Sequence, residues 1–293
     1  MIPRPFEYFA PTTVKEATAL LKRFGPEGRI LAGGMSLIPA MKLRSQSPSK
    51  VIDINRIRGL DSIKMSGDSL SIGALARHGD VQHSSVVREK AYLLSETVSM
   101  IGDPQIRNMG TIGGALAYCD PSGDLGAALL ALRCEVATAG PASQRRVSID
   151  DFFVDGFKSA LRPGEMVTEI LVPVPPAKSG GAYMKLERSL ADYPTVGVAV
   201  QISLDKEDVC IRAGIGLAAL GPKSLRAATA ERTLVGSAFT AKTIKEAAAA
   251  AAEDARPTSD PLRGSAEYKK EMAEVYARRG LEAAMRRAKG IRR

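Results

Sequence analysis

The sequence predicts an α+β protein. Its front half carries a small parallel sheet and a mostly antiparallel one, and its rear half pairs a three-stranded antiparallel sheet with a helical bundle. Three observations predict this. Near the start, an apolar run, a glycine-rich loop, a helical stretch and a second apolar run follow in order, which is how parallel strands are joined. Midway, Pro173-Val174-Pro175-Pro176 and Lys178-Ser179-Gly180-Gly181 punctuate the chain as a linker. Beyond it, strand patterns come first and helical ones after, as in a separate α+β unit. The expected units are 1–176, divided at about 1–58 and 59–176, and 177–293. A chain of 293 residues is long for one core, so such a division is the default.

Each element has its own reason. Thr13-Val14-Lys15-Glu16 reads as a capping box, and Val14, Ala17, Leu20, Leu21 and Phe24 share one helical face. Gly25-Pro26 stops that helix. A strand at 29–32 runs into Gly33-Gly34, a short helix covers about 36–43, and a strand follows at 51–54. Ser62-Ile63-Lys64-Met65 and Ser69-Leu70-Ser71-Ile72 flank Ser66-Gly67-Asp68 as a hairpin. Helices are expected at 88–101 and 125–132, and strands at 135–139, 145–148 and 166–172. After the linker come strands at 182–188, 196–203 and 210–218, then helices at 224–235, 240–255 and 266–288.

Composition excludes several function classes. The amino-terminal Met1-Ile2-Pro3-Arg4-Pro5-Phe6-Glu7 has prolines and charge where a signal peptide needs an apolar run, and no stretch approaches membrane-spanning length. A cytoplasmic protein is expected. Cys119, Cys134 and Cys210 lie far apart without a Cys-x-x-Cys pair, so no iron–sulfur or zinc cassette is legible, and no metal ligand is assigned. Disulfides are not expected with an odd cysteine count in such a chain. His78 and His83 have no companion ligands, and a surface position is expected for both. The net charge of +9 is concentrated late, in Arg278-Arg279, Arg286-Arg287, Lys289 and Arg292-Arg293. No nucleic-acid-binding signature accompanies it. It reads as a solvated helix face with a basic tail, or as a surface for an acidic partner.

The informative chemistry lies in two glycine-rich loops, Ala32-Gly33-Gly34-Met35-Ser36 and Thr111-Ile112-Gly113-Gly114-Ala115. Paired glycines let the backbone curl and turn consecutive N–H groups toward an anion such as a pyrophosphate. Ser36 and Thr111 each add a hydroxyl. One such loop is commonly a plain turn, whereas two with the same chemistry point to a shared dinucleotide. Competing motifs are missing. There is no Gly-Lys-Ser/Thr, and Gly214-Ile215-Gly216 lacks the third glycine of a Rossmann fingerprint and reads as a tight backbone passage. No hydrolase elbow is present either, and no catalytic side chain is assigned, so the chemistry must come from a cofactor.

The wider pattern resembles the FAD-binding medium subunit of molybdenum hydroxylases. This is the group of aerobic carbon monoxide, aldehyde and N-heterocycle dehydrogenases within the xanthine dehydrogenase family. The resemblance rests on Pro3-Arg4-Pro5-Phe6-Glu7-Tyr8, the first loop continued by Leu37-Ile38-Pro39, and Asp103-Pro104-Gln105-Ile106-Arg107-Asn108-Met109-Gly110 leading into the second loop. It continues through Asp120-Pro121-Ser122-Gly123-Asp124-Leu125, Asp192-Tyr193 and Arg263-Gly264-Ser265-Ala266-Glu267-Tyr268. What it implies is an oxidoreductase component carrying FAD. Electrons would arrive from two [2Fe–2S] clusters on a small subunit and leave to an external acceptor, while substrate is oxidised on a large molybdopterin subunit. A dimer of such heterotrimers is implied.

The resemblance places Ala32, Gly33, Gly34, Met35, Ser36 and Leu37 on one side of FAD and Thr111, Ile112, Gly113, Gly114 and Ala115 on the other. Ile101 and Val167 join them. Asp124 matches a carboxylate touching a polar part of FAD, while the same segment also reads as a turn capping a helix. Lys185 matches a lysine near the flavin, or is an exposed strand residue. Tyr193 matches an aromatic beside the isoalloxazine, or is a core tyrosine. Met35 and Ala115 depart from the family pattern, where a polar residue and an asparagine are usual. A flavin-free docking subunit, or a self-contained NAD(P)H-dependent flavin reductase, are the alternative readings. The absence of a suitably placed histidine or cysteine implies non-covalent FAD.

Overall fold

The computed structural model describes residues 1–291; Arg292-Arg293 of the basic tail lie outside the described residues. The first unit contains β1 (Glu7–Phe9), α1 (Val14–Phe24), β2 (Gly28–Leu31), α2 (Leu37–Lys42) and β3 (Lys50–Asp53). Its three strands are parallel in the order β1-β3-β2, so the expected parallel sheet gains an edge strand at Glu7–Phe9 that polarity conceals. Thr13 caps α1 by accepting the Glu16 N–H at 3.2 Å, while the Glu16 carboxylate reaches back one residue further, to the Thr12 N–H.

The second unit holds β4 (Ile63–Ser66), β5 (Ser69–Gly73), α3 (His78–His83), α4 (Ser85–Lys90), α5 (Tyr92–Ser99), α6 (Pro104–Met109), α7 (Ile112–Tyr118) and α8 (Asp124–Leu132). It continues with β6 (Glu135–Ala139), β7 (Gln144–Ser148), α9 (Ile149–Phe152), β8 (Phe153–Asp155), β9 (Lys158–Ser159) and β10 (Met166–Pro173). Its main sheet is antiparallel, β4-β5-β10-β6-β7, and β8 and β9 pair separately. The helix expected at 88–101 is broken at Ala91, which adopts a non-helical conformation and ends α4 before α5 begins.

The third unit comprises β11 (Ser179–Leu186), β12 (Val196–Leu204), β13 (Cys210–Ala218), β14 (Leu225–Arg226), α10 (Ala228–Leu234), α11 (Ala241–Asp254) and α12 (Ala266–Ala288). Its sheet has four antiparallel strands, not three. The first residues of the helix expected at 224–235 pair with β13 instead, as β14. Apolar faces of β11–β13 and of α10–α12 close a core rich in alanine and valine.

The units are joined through α8, every residue of which is buried. A Cβ on Gly214 or Gly216 would run into the Ala131 or Ala127 carbonyl, so those glycines let β13 lie directly on α8. Arg287 of α12 is a second join. It pairs with Glu96 of α5 at 2.6 Å and lies over the Tyr92 ring, so it does not belong to the solvated basic face expected for it. Lys289 and Arg278 are likewise engaged, with Asp208 and Glu282.

Candidate functional site

A cavity of about 840 Å³ opens between the first two units and is closed at one end by the third. That size suits a cofactor rather than a metabolite fragment. Both glycine loops line it, and local chain geometry explains how they meet. Asn55, just after β3, donates to the Ala32 carbonyl at 2.9 Å, and Arg77 donates to Asn55 Oδ1 at 2.6 Å and to the Met109 carbonyl. One guanidinium thus ties the first loop to the segment entering the second. The approach is close: a Cβ on Gly33 would collide with the Met109 carbonyl and the Gly110 Cα.

The loops do different work. Ile112 and Gly113 donate their N–H groups to the carbonyls of Ala76 and Ala74, Gly114 to Thr111 Oγ1 at 3.1 Å, and Ala115 to the Thr111 carbonyl. The second loop is therefore the capped start of α7, with the amides of residues 112–115 already satisfied. This corrects the expectation of a second amide cradle, because a capping threonine consumes what the glycines expose. Among the described residues, what this loop leaves for a ligand is the Thr111 N–H and its hydroxyl proton. Among the described residues, the N–H groups of Gly33, Gly34, Met35, Ser36 and Leu37 have no protein acceptor. Gly34 takes φ +75°, which bends the loop where these residues line the cavity, and Ser36 makes no side-chain capping bond among the described residues, leaving its hydroxyl available.

Ala32, Gly33, Gly34, Met35, Ser36, Leu37, Ile101, Thr111, Gly113, Gly114, Ala115, Asp124, Val167 and Tyr193 all line the cavity. Ile112 does not: it opens α7 and is fully buried in the core. Lys185 does not line it either, and its side chain, 3% exposed, is no free strand lysine. It stands behind Asp124, 3.3 Å from the carboxylate, and donates to the Met100 carbonyl at 2.9 Å. Asp124 is 5% exposed and also accepts from Tyr183 Oη at 2.7 Å. Burial pushes its carboxyl up to about 6, although Lys185 and Tyr183 both favour the charged form. Tyr193 is 48% exposed at the cavity wall and so is not a core tyrosine; desolvation beside Asp120 pushes its phenol up to about 12.

Other wall residues carry signals too faint to read in sequence. His78 is buried, not superficial, and lines the cavity, and among the described residues its Nδ1 has no partner; burial and Arg107 hold the imidazole down to about 4, so it is neutral. His83 is exposed, as expected. Cys119 also lines the wall. Its thiol donates to the Leu116 carbonyl, and burial pushes it up to about 12, so it is not a nucleophile. Gly25-Pro26, read from the sequence as a helix stop, and Pro163-Gly164 also line the cavity. Among the described residues, no three of His, Cys, Asp and Glu gather as a metal site.

Residues 4–175 match the family of the FAD binding domain in molybdopterin dehydrogenase, and residues 181–284 match the CO dehydrogenase flavoprotein C-terminal domain. The chain belongs to this flavoprotein family. The carbon monoxide dehydrogenase medium chain of Hydrogenophaga pseudoflava is 41% identical, over 98% of this chain and 99% of that one. A solved carbon monoxide dehydrogenase from the same organism superposes with a TM-score of 0.95, covering 98% and 99% of the two chains. The 6-hydroxypseudooxynicotine dehydrogenase complex subunit alpha of Paenarthrobacter nicotinovorans is 36% identical, over 99% and 97%. Relatives thus serve complexes with unrelated substrates, and these flavoproteins are components of oxidoreductases. FAD is the cofactor of the matched domain, and the cavity fits it: a curl of open amides suits the pyrophosphate, and an aromatic-edged end suits the flavin.

Proposed function

We propose that this chain is the FAD-carrying electron-transfer subunit of a molybdenum hydroxylase complex. Bound FAD supplies two-electron redox chemistry and exchange with one-electron donors. The chain's own residues do the holding. The amides of residues 33–37 and the hydroxyls of Ser36 and Thr111 would take the pyrophosphate, and Ile101, Ala115 and Val167 would pack the apolar length. Asp124, steadied by Tyr183 and Lys185, would accept from a polar group of the cofactor. Tyr193 would cover the ring and exclude water. Substrate would be oxidised on a separate large molybdopterin subunit, with two [2Fe–2S] clusters on a small subunit feeding this one, in a cytoplasmic dimer of heterotrimers. No described helix is long and apolar enough to cross a membrane.

The single observation that carries this reading is the run of open amides over a cofactor-sized cavity. The test is made on the assembled complex. With Gly33→Val in this chain, substrate should still bleach the iron–sulfur clusters, but reduction of the external acceptor should fall by at least about 100-fold, in line with lost cofactor binding. Unchanged acceptor reduction in a complex that lacks FAD would remove the electron-transfer role.

A further inference from the structure

The segment Arg263-Gly264-Ser265-Ala266-Glu267-Tyr268 has no part in the cavity wall, yet its first side chain reaches toward it. The turn before α12 is drawn tight. Asp260 Oδ1 accepts the N–H groups of Leu262 and Arg263 at 2.8 Å each, and Asp260 and Gly264 exchange backbone hydrogen bonds. Gly264 takes φ +96°, and Ser265 then caps α12. The turn projects the Arg263 guanidinium onto Asp192, with Nη2 3.0 Å from Oδ1, and that same oxygen accepts the Tyr193 N–H at 2.7 Å.

The receiving loop, between β11 and β12, has little else to hold it. Its base is closed by the Thr195 N–H on the Leu186 carbonyl, and its tip by the Asp192 N–H on the Ser189 carbonyl. Leu190 is 92% exposed and Ala191 sits at φ +70°. Among the described residues, Arg263 makes the only side-chain hydrogen bond from outside the hairpin to residues 188–194. Its positive charge also faces Asp120 and Tyr193, both on the cavity wall.

We propose that Arg263 is a positioning residue that, through Asp192, fixes Tyr193 over the flavin end of the cavity and thereby sets the flavin's potential. The inference rests on the FAD reading above. The helical unit then acts on the cofactor without touching it, by way of one ion pair.

The test uses the assembled complex carrying Arg263→Gln, Arg263→Lys, Asp192→Asn, Tyr193→Ala and the double variant Arg263→Gln/Tyr193→Ala. Flavin content, flavin emission and flavin midpoint potential are measured together. Arg263→Gln and Asp192→Asn should keep FAD but raise emission and shift the potential in the direction that Tyr193→Ala shifts it. Arg263→Lys should restore most of both, and Arg263→Gln should add nothing in the Tyr193→Ala background. Asp192→Asn leaves the α12 turn intact, so it answers if Arg263→Gln misfolds. Equal effects of Arg263→Gln with and without Tyr193, or unchanged emission and potential in a FAD-loaded Asp192→Asn complex, overturn the positioning role alone. A wild-type complex without FAD overturns the cofactor reading instead.

Discussion

Two loops with nearly the same letters, Ala32-Gly33-Gly34-Met35-Ser36 and Thr111-Ile112-Gly113-Gly114-Ala115, face one cavity and solve different problems. In the first, which bends at a left-handed Gly34, five amides at the cavity wall have no protein acceptor among the described residues. In the second, Thr111 and the carbonyls of Ala74 and Ala76 consume the amides of residues 112–115, and the glycines let a helix sit on a strand end. Paired glycines therefore signal close approach of backbone to something, and only hydrogen-bond accounting tells whether that something is a ligand or the protein.

Substitutions that break the two loops should separate binding from stability. Gly33→Val places its branch in the Met109 carbonyl and pushes the first loop off its seat, so FAD retention in the complex should fall by about 100-fold or more. Gly113→Val meets Ala74 instead, whose oxygen lies 2.7 Å from the new Cβ. It should cost about 3 kcal/mol of stability, visible as a Tm lowered by several degrees, with folded molecules still able to hold FAD. Equal FAD loss at an unchanged Tm in both variants would erase the distinction between the loops.

Asp124 sharpens the comparison through pH. Its carboxyl stands at about 6 in the folded chain against an ordinary 3.8, so the folded state holds the extra proton between those values. Stability from this group is complete below the ordinary value and is lost as pH rises through about 6. The loss approaches about 3 kcal/mol, at roughly 1.4 kcal/mol per unit. The difference in Tm between wild type and Asp124→Asn should therefore move against wild type as pH rises from 4 to 7; a flat difference would mean an unperturbed carboxylate.

Smaller effects belong to the hydroxyls. Thr111→Val removes the acceptor for the Gly114 amide and should cost about 1 kcal/mol of stability together with about tenfold in FAD affinity, and Thr111→Ser should restore both. Ser36 caps nothing. Ser36→Ala should weaken FAD by about 0.5–1.5 kcal/mol and leave the unfolding of the FAD-free chain unmoved, a combination that calorimetry and flavin titration read together.

Legibility in the sequence followed the range of the forces involved. Local signals gave β6, β13 and α12 at their observed ends, because alternation, caps and breakers are written in neighbouring residues. Strand β1 escaped because its faces are exposed and its partner, β3, lies more than forty residues on. Glycine chemistry placed the two loops on the cavity wall and the family resemblance added Ile101, Asp124, Val167 and Tyr193, yet His78, Cys119 and the Pro163-Gly164 turn reach it only through tertiary folding. Lys185 shows the same limit. A strand lysine reads as exposed until the second unit brings Asp124 and the Met100 carbonyl over it.

The most direct measurement is to precipitate the purified complex with acid and then identify and count the flavin. One FAD per copy of this chain, released into the supernatant, is the predicted result. Colour that stays with the pellet, a mononucleotide flavin without the pyrophosphate proposed to rest on the amides of residues 33–37, or no flavin at all would contradict it.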